Sequence, residues 1–187
     1  GQGHQRPHAG VWALMALAEL ARGGSAAACD AAGDEVYRAF TLLSPAHRSE
    51  HPVWGAAYGL EPYVMAGDVC SQPPYVGRGG WSWYTGAAAW LHRAAIESLF
   101  GLQLEAQQLS LRPCLPSHWP RAELTLTREG RRLHFIVLRA NAATALAATA
   151  VQGARLLLSG QGVAWTHLGR HACFVLPLLD TAAGESA

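Results

Sequence analysis

The sequence predicts a mainly helical chain that ends in a β part. Two observations carry this. Before about residue 101 the apolar residues recur with a helical period, and after it they alternate with polar residues at a period of two. Long connections rich in glycine, proline and histidine separate the helical segments of the first part.

The stretch "HAGVWALMALAELARGG" puts Val11, Leu14, Leu17, Ala18 and Ala21 on one helical face and closes on Gly23, a candidate C-cap. A second helix is read in "SAAACDAAGDEVYRAFTLLSP", with Ser25 as its N-cap and Pro45 just past its end. "EPYVMAGDVC" reads as a shorter helix opened by Glu61 and Pro62, an acid and a proline in the first turn. "GAAAWLHRAAIESLFG" is apolar over most of its circumference, so burial of the whole helix is expected. Beyond it, "LQLEAQQLSLRP" and "AELTLTREGRRLHFIVLRA" alternate as half-buried antiparallel strands, the second folded into a hairpin on Glu129-Gly130. "ARLLLSGQGVAW" and "HACFVLPL" give further short strands around a Gly160–Gly162 turn. "ANAATALAATAVQG" has a helical composition but is open between helix, loop and strand, and the tail "DTAAGESA" is expected to be disordered.

These 187 residues can hold one large domain or two small ones, here read as a helical domain over 1–101, a β domain over 102–180 and a tail over 181–187. A net charge of +1 with 14% charged residues gives no reason to expect nucleic acid or an anionic membrane as partner. No apolar run reaches the roughly 18 residues that span a bilayer. Cys29, Cys70, Cys114 and Cys173 lie far apart without a C-x-x-C pair, so they read as reduced thiols of a cytoplasmic protein, with no metal site. The helices are few for the apolar surface they carry, which suggests part of a larger helical array. Self-association through that surface, or completion by a missing N-terminal part, is expected.

The chemistry concentrates in "GRGGWSWYTGAAAW", Gly77 to Trp90. Thr85 and Gly86 stand at a helix start, whose first amides lack intrahelical partners and carry the positive end of the dipole. A glycine there lets an oxyanion approach the backbone, and Arg78 on the same loop adds a charged fork. The plainer reading makes Thr85 an ordinary N-cap and the glycines simple turn residues. "GQGHQRPH" offers His4, Arg6 and His8 ahead of the first helix, a weak metal pattern that suits a phosphate contact or a helix-start histidine better. Glu61 and Asp68 are the nearest carboxylates, and neither carries a mark as the proton donor that glycoside cleavage requires. Trp81, Trp83, Tyr84 and Trp90 suit the C–H faces of sugar rings, although most such aromatics belong to a core and only one or two are expected to face a ligand.

Two quoted blocks carry a resemblance. "LEPYVMAGDVCSQPPYVGRGGWSWYTGAAAWLHRAAIESLFGL" and "LSLRPCLPSHWPRAELTLTREGRRLHFIV" resemble the C-terminal part of glycoside hydrolase family 94, the cellobiose- and chitobiose-type phosphorylases. The wording is nearest to the branch that forms the C-terminal region of cyclic β-1,2-glucan synthases. The resemblance covers about residues 1–140 and fades beyond. It implies a partial (α/α)6 barrel followed by a small antiparallel β-sandwich. The implied reaction is inverting phosphorolysis of a β-linked gluco-oligosaccharide, or glucan-chain trimming in a synthase, with inorganic phosphate as substrate and no cofactor. His8, Thr85 and Gly86 match the family's phosphate-holding positions, Arg78 stands where other members carry a glutamine, and Glu61 matches a sugar-binding position of the β-1,2 branch. The family's general acid belongs to an earlier segment, so the chain is expected to be inactive alone. A synthase parent would imply inner-membrane association of the full-length protein. The competing expectations are a non-catalytic carbohydrate- or phosphate-binding remnant, such as a pseudogene product, and an unrelated helical interaction module.

Overall fold

A computed structural model describes residues 4–23, 26–139 and 154–178, with the single positions 144 and 147. Expectations for Ser25, for "ANAATALAATAVQG" apart from those two positions, and for the tail lie outside the described residues.

A two-residue strand, β1 (His4–Gln5), leads into helix α1 (Pro7–Arg22). Pro7 at the first helical position fits a site where the missing N–H costs nothing. The helix closes at Gly23, whose N–H donates to the Leu20 carbonyl. Val11, Leu14, Ala18 and Ala21 are buried as the helical period requires. They pack on Val36 of α2 (Ala26–Leu43) and on Ala87, Leu91, Ala94 and Leu99, in one apolar cluster. Those last residues come from α5 (Thr85–Arg93) and its continuation, a π-helical turn over Ala94–Leu99. Only one face of this last helix is buried, and Ala88, Ala89, His92 and Arg93 are exposed, which corrects the expectation of burial all round. Alanine's small apolar surface makes exposure cheap, so its abundance broadens an apolar stripe without requiring burial.

Between α2 and α5 the chain forms two short helices, α3 (Pro45–Glu50) and α4 (Trp54–Tyr58). Neither was expected from the periodicity, and Pro45 opens α3 as well as following α2. The expected helix over Glu61–Cys70 is absent. Its first residues make a turn, with the Val64 N–H on the Glu61 carbonyl, and its end is strand β2 (Asp68–Cys70) between β1 and β3 (Gly79–Gly80). Gly67 breaks the helical run and donates its N–H to the carbonyls of Gly80 and Trp81 at 3.0 and 2.9 Å. A ten-residue helix is marginal without packing, and the available partner here was a sheet edge.

The second part holds two sheets. Strands β4 (Leu102–Leu104), β5 (Gln108–Leu111) and β9 (Val163–Ala164) form an antiparallel three-stranded sheet. Strands β6 (Arg121–Arg128), β7 (Arg131–Arg139), β10 (His171–Leu178) and β8 (Arg155–Leu156) form the other, in the order β6-β7-β10-β8. The turn between β6 and β7 is the expected Glu129-Gly130, both at positive φ. Residues of both sheets share one core, in which the Phe135 and Phe174 rings stack at 5.4 Å. The expectation of a wholly antiparallel β part is corrected, because β10 runs parallel to both β7 and β8. Period-two alternation reports faces and not strand direction. Fifteen residues separate Arg139 from Arg155, long enough for a crossover between parallel strands.

Polar contacts join the two parts. The Arg22 side chain, 5% exposed, donates to the carbonyls of Glu97, Ser98 and Arg112 and pairs with Glu19. The Asp34 carboxylate accepts the Ser117 backbone N–H at 2.7 Å and its hydroxyl at 2.8 Å. Those bonds hold Asp34 below its ordinary value of 3.8. A depressed carboxylate adds stability above its unfolded pKa, and that stability is lost as pH falls through the folded value. Asp34→Ala should therefore lower the thermal midpoint at about pH 7, with the gap to the parent closing in stronger acid. A gap that stays constant from neutrality to about pH 2 would count against this role for Asp34.

Candidate functional site

The segment before α5 is set by close backbone approach. A Cβ on Gly79 would lie 2.7 Å from Leu60 Cδ1, and one on Gly80 would collide with the Asp68 carboxylate. These two glycines therefore let β3 pair with β2, and the pairing aims the chain that follows. Trp81 and Trp83 then adopt φ values of 56° and 60°, the left-handed region that bulky residues avoid. Each such residue costs on the order of 1–3 kcal/mol and persists only where its surroundings enforce it. Hydrogen bonds do so here, from Gly67 N–H to the Trp81 carbonyl and from Tyr84 N–H to the Met65 carbonyl at 3.0 Å.

This strained backbone presents its aromatic rings to solvent. Trp81 is 83% exposed, Trp83 63% and Tyr84 40%. Three of the four aromatics of the segment are thus outward, and Trp90 is half-buried. Tyr63 stands 6.1 Å from Trp83, ring to ring, and widens the platform. Glu61 lies exposed in the turn that carries Tyr63.

His8 and Gly86, 78 positions apart in sequence, come together at the start of α5. A Cβ on Gly86 would sit 3.8 Å from His8 Cε1 and 3.9 Å from Nδ1. Tyr84, not Thr85, is the N-cap of α5, and no side chain caps the helix. Thr85 is its first residue, and the first turn holds no acidic side chain. The uncapped positive end of the helix therefore opens beside an imidazole, which is what an oxyanion needs. The His8 ring meets Trp12 edge-on at 4.9 Å and Tyr84 at 6.2 Å, while Trp12 meets Trp90 at 5.9 Å. Trp12 was missed from sequence, although its place four residues after His8 on α1 puts both on one helical face.

Arg78 sits elsewhere. Its guanidinium lies 5.5 Å from the centre of the Tyr75 ring, and the residue lines a hollow of about 180 Å³ with Asp68, Cys70, Tyr75, Gly79 and Gly80. No contact joins it to His8 among the described residues. Arg6 is the exposed N-cap residue of α1. None of Cys70, Cys114 and Cys173 is in a disulfide, and no described helix is long and apolar enough to cross a membrane.

Residues 2–101 match the model of the glycosyl hydrolase 94 superfamily catalytic domain, and residues 102–163 that of the glycosyl hydrolase family 65 C-terminal domain. The chain is thus a carbohydrate-active enzyme domain. It belongs to the glycosyl hydrolase 94 superfamily. It is 38% identical over 118 residues to the cyclic beta-(1,2)-glucan synthase NdvB of Rhizobium meliloti, covering 63% of this chain and 4% of that protein. Identity to the N,N'-diacetylchitobiose phosphorylase of Vibrio proteolyticus is 26% over 132 residues, 70% of this chain and 15% of the relative. The cellobionic acid phosphorylase of Neurospora crassa is 29% identical over 144 residues, 72% of this chain and 16% of the relative. The chain therefore spans under a fifth of the length of each of these curated relatives.

Proposed function

We propose that the chain supplies one wall of the active site of an enzyme acting on β-linked glucans, by inverting phosphorolysis or by glucan trimming within a cyclic-glucan synthase. The observation that carries this is the meeting of His8 with Gly86 at the uncapped start of α5. In this reading His8, the Thr85 hydroxyl and the first amides of α5 hold inorganic phosphate, and Arg78, set in the separate hollow beside Tyr75, adds only long-range attraction. Trp81, Trp83, Tyr84 and Glu61 receive the glucan. A phosphate oxygen attacks the anomeric carbon, the C1–O bond to the departing sugar breaks, and that oxygen takes a proton from an acid outside these residues. Bound phosphate is positioned and its charge is met by dipoles already in place. The wall belongs to the helical part and strands β4 to β10 to the β part, among the described residues of 4–101 and 102–178.

The platform is tested by titrating the chain with β-1,2-linked gluco-oligosaccharides while following tryptophan fluorescence. Saturable quenching that is lost in a Trp81→Ala, Trp83→Ala double variant is expected. Because both rings are solvent-exposed, that variant is expected to keep the parent's circular dichroism spectrum. Incubated with oligosaccharide and phosphate, the chain alone is expected to release no glucose 1-phosphate. No quenching at millimolar sugar, or quenching retained in the double variant, would reject the platform, and release of glucose 1-phosphate would reject the external acid.

A further inference from the structure

The face of the four-stranded sheet that points away from its core carries a second hollow, unconnected with His8. On β7, Leu133, Phe135 and Val137 enter the core, and on β10 Phe174 and Leu176 do. The alternate residues take the other face. Register sets His134 between Thr125 of β6 and Cys173 of β10, and Arg132 beside His171. These residues, with Arg155 from β8, line a hollow of about 670 Å³ that has no carboxylate in its wall among the described residues.

The charge balance in this hollow is one-sided. Among the described residues, the side chains of Arg132 and His171 make no hydrogen bond or ion pair. Arg155 uses only Nη1, on the His167 carbonyl at 3.4 Å. Glu123, the acid that His134 faces, is already engaged, taking Arg121 Nε at 2.6 Å and meeting His134 Nε2 at 2.8 Å. The Arg121 and His134 contacts hold its carboxyl below the usual range. Cys173 Sγ lies 3.9 Å from His134 Nδ1, and burial pushes its thiol up, so it brings no negative charge at neutral pH.

A guanidinium presents a planar fork of donors that fits carboxylate and phosphate oxygens. The hollow is far larger than one oxyanion and falls in the range of small-molecule sites. The Thr125 hydroxyl adds a neutral partner of the kind a sugar hydroxyl takes. We propose that this hollow binds an anionic monosaccharide, a sugar phosphate or a sugar carboxylate, through Arg132 and Arg155.

The test is equilibrium dialysis of radiolabelled glucose 1-phosphate against the 187-residue chain carrying His8→Ala and Gly86→Val, which together weaken the other candidate anion site. Saturable binding is expected, at least tenfold weaker once Arg132→Ala and Arg155→Ala are added, and displaced by glucuronate but not by glucose. Both arginines are exposed, and should the alanine pair fail to fold, Arg132→Gln with Arg155→Gln gives the same reading. Absence of saturable binding, binding indifferent to the arginines, or displacement by glucose would overturn the site. Equal displacement by inorganic phosphate would reduce it to a bare anion site and overturn the sugar class. None of these outcomes bears on phosphate at His8, which is read separately in the chain that keeps it.

Discussion

Gly101→Ala is expected to destabilise the chain by about 3 kcal/mol or more, the largest effect of any single methyl addition considered. Gly101 joins the π-helical turn to β4 at φ +83°, and its carbonyl accepts the Arg112 N–H at 2.9 Å. An added Cβ would run into the Arg112 carbonyl, which is backbone and cannot swing aside as a flexible side chain would. Two costs therefore combine, the left-handed conformation and the overlap. Gly130→Ala separates them, because Gly130 has a similar φ of +71° but nothing within 4 Å of the added atom. It should cost roughly 1 kcal/mol, the conformational part alone. Urea midpoints of the two variants check this, and equal losses would show that the overlap at Gly101 relaxes freely.

The second large effect concerns phosphate. His8→Ala should weaken inorganic phosphate binding at least tenfold, about 1.4 kcal/mol, in line with loss of one charge-assisted hydrogen bond. Gly86→Val should do the same by another route, since its branches would fill the space between the α5 amides and the His8 ring. Dialysis with labelled phosphate, carried out with Arg132→Ala and Arg155→Ala in place, confines the reading to this site. Arg78→Ala serves as the comparison, and its place across the β2–β3 pairing predicts a smaller loss than at His8. Should phosphate affinity be the same in parent and His8→Ala, the assignment of His8 fails. A larger loss at Arg78 than at His8 would move the anion to the hairpin hollow.

Much of this molecule was legible in its pattern. Val11, Leu14, Ala18 and Ala21 fall at helical spacing and form the buried stripe of α1. Gly130 marked the hairpin because glycine takes a positive φ without strain between two alternating segments, and Glu129 joins it in that region. The segment from Gly77 to Trp90 announced itself by composition. What its parts do was less legible, since glycines and tryptophans in one stretch fit a tight core as well as an exposed platform. The structure separates them, with Gly79 and Gly80 against Leu60 and Asp68 and the rings of Trp81 and Trp83 in solvent.

The sequence by itself determined the helix of α1, the alternating strands of the β6–β7 hairpin and its turn, the short strand β10 and the helix start at Thr85. All depend on interactions among near neighbours along the chain. Only the tertiary structure decided that Glu61–Cys70 becomes turn and strand, that β10 lies parallel to β7, and that Arg22 stitches three carbonyls from distant segments. It also decided that His8 stands against Gly86. Each of these depends on which distant surface is available to satisfy a backbone or a charge, and local periodicity carries no information about that partner.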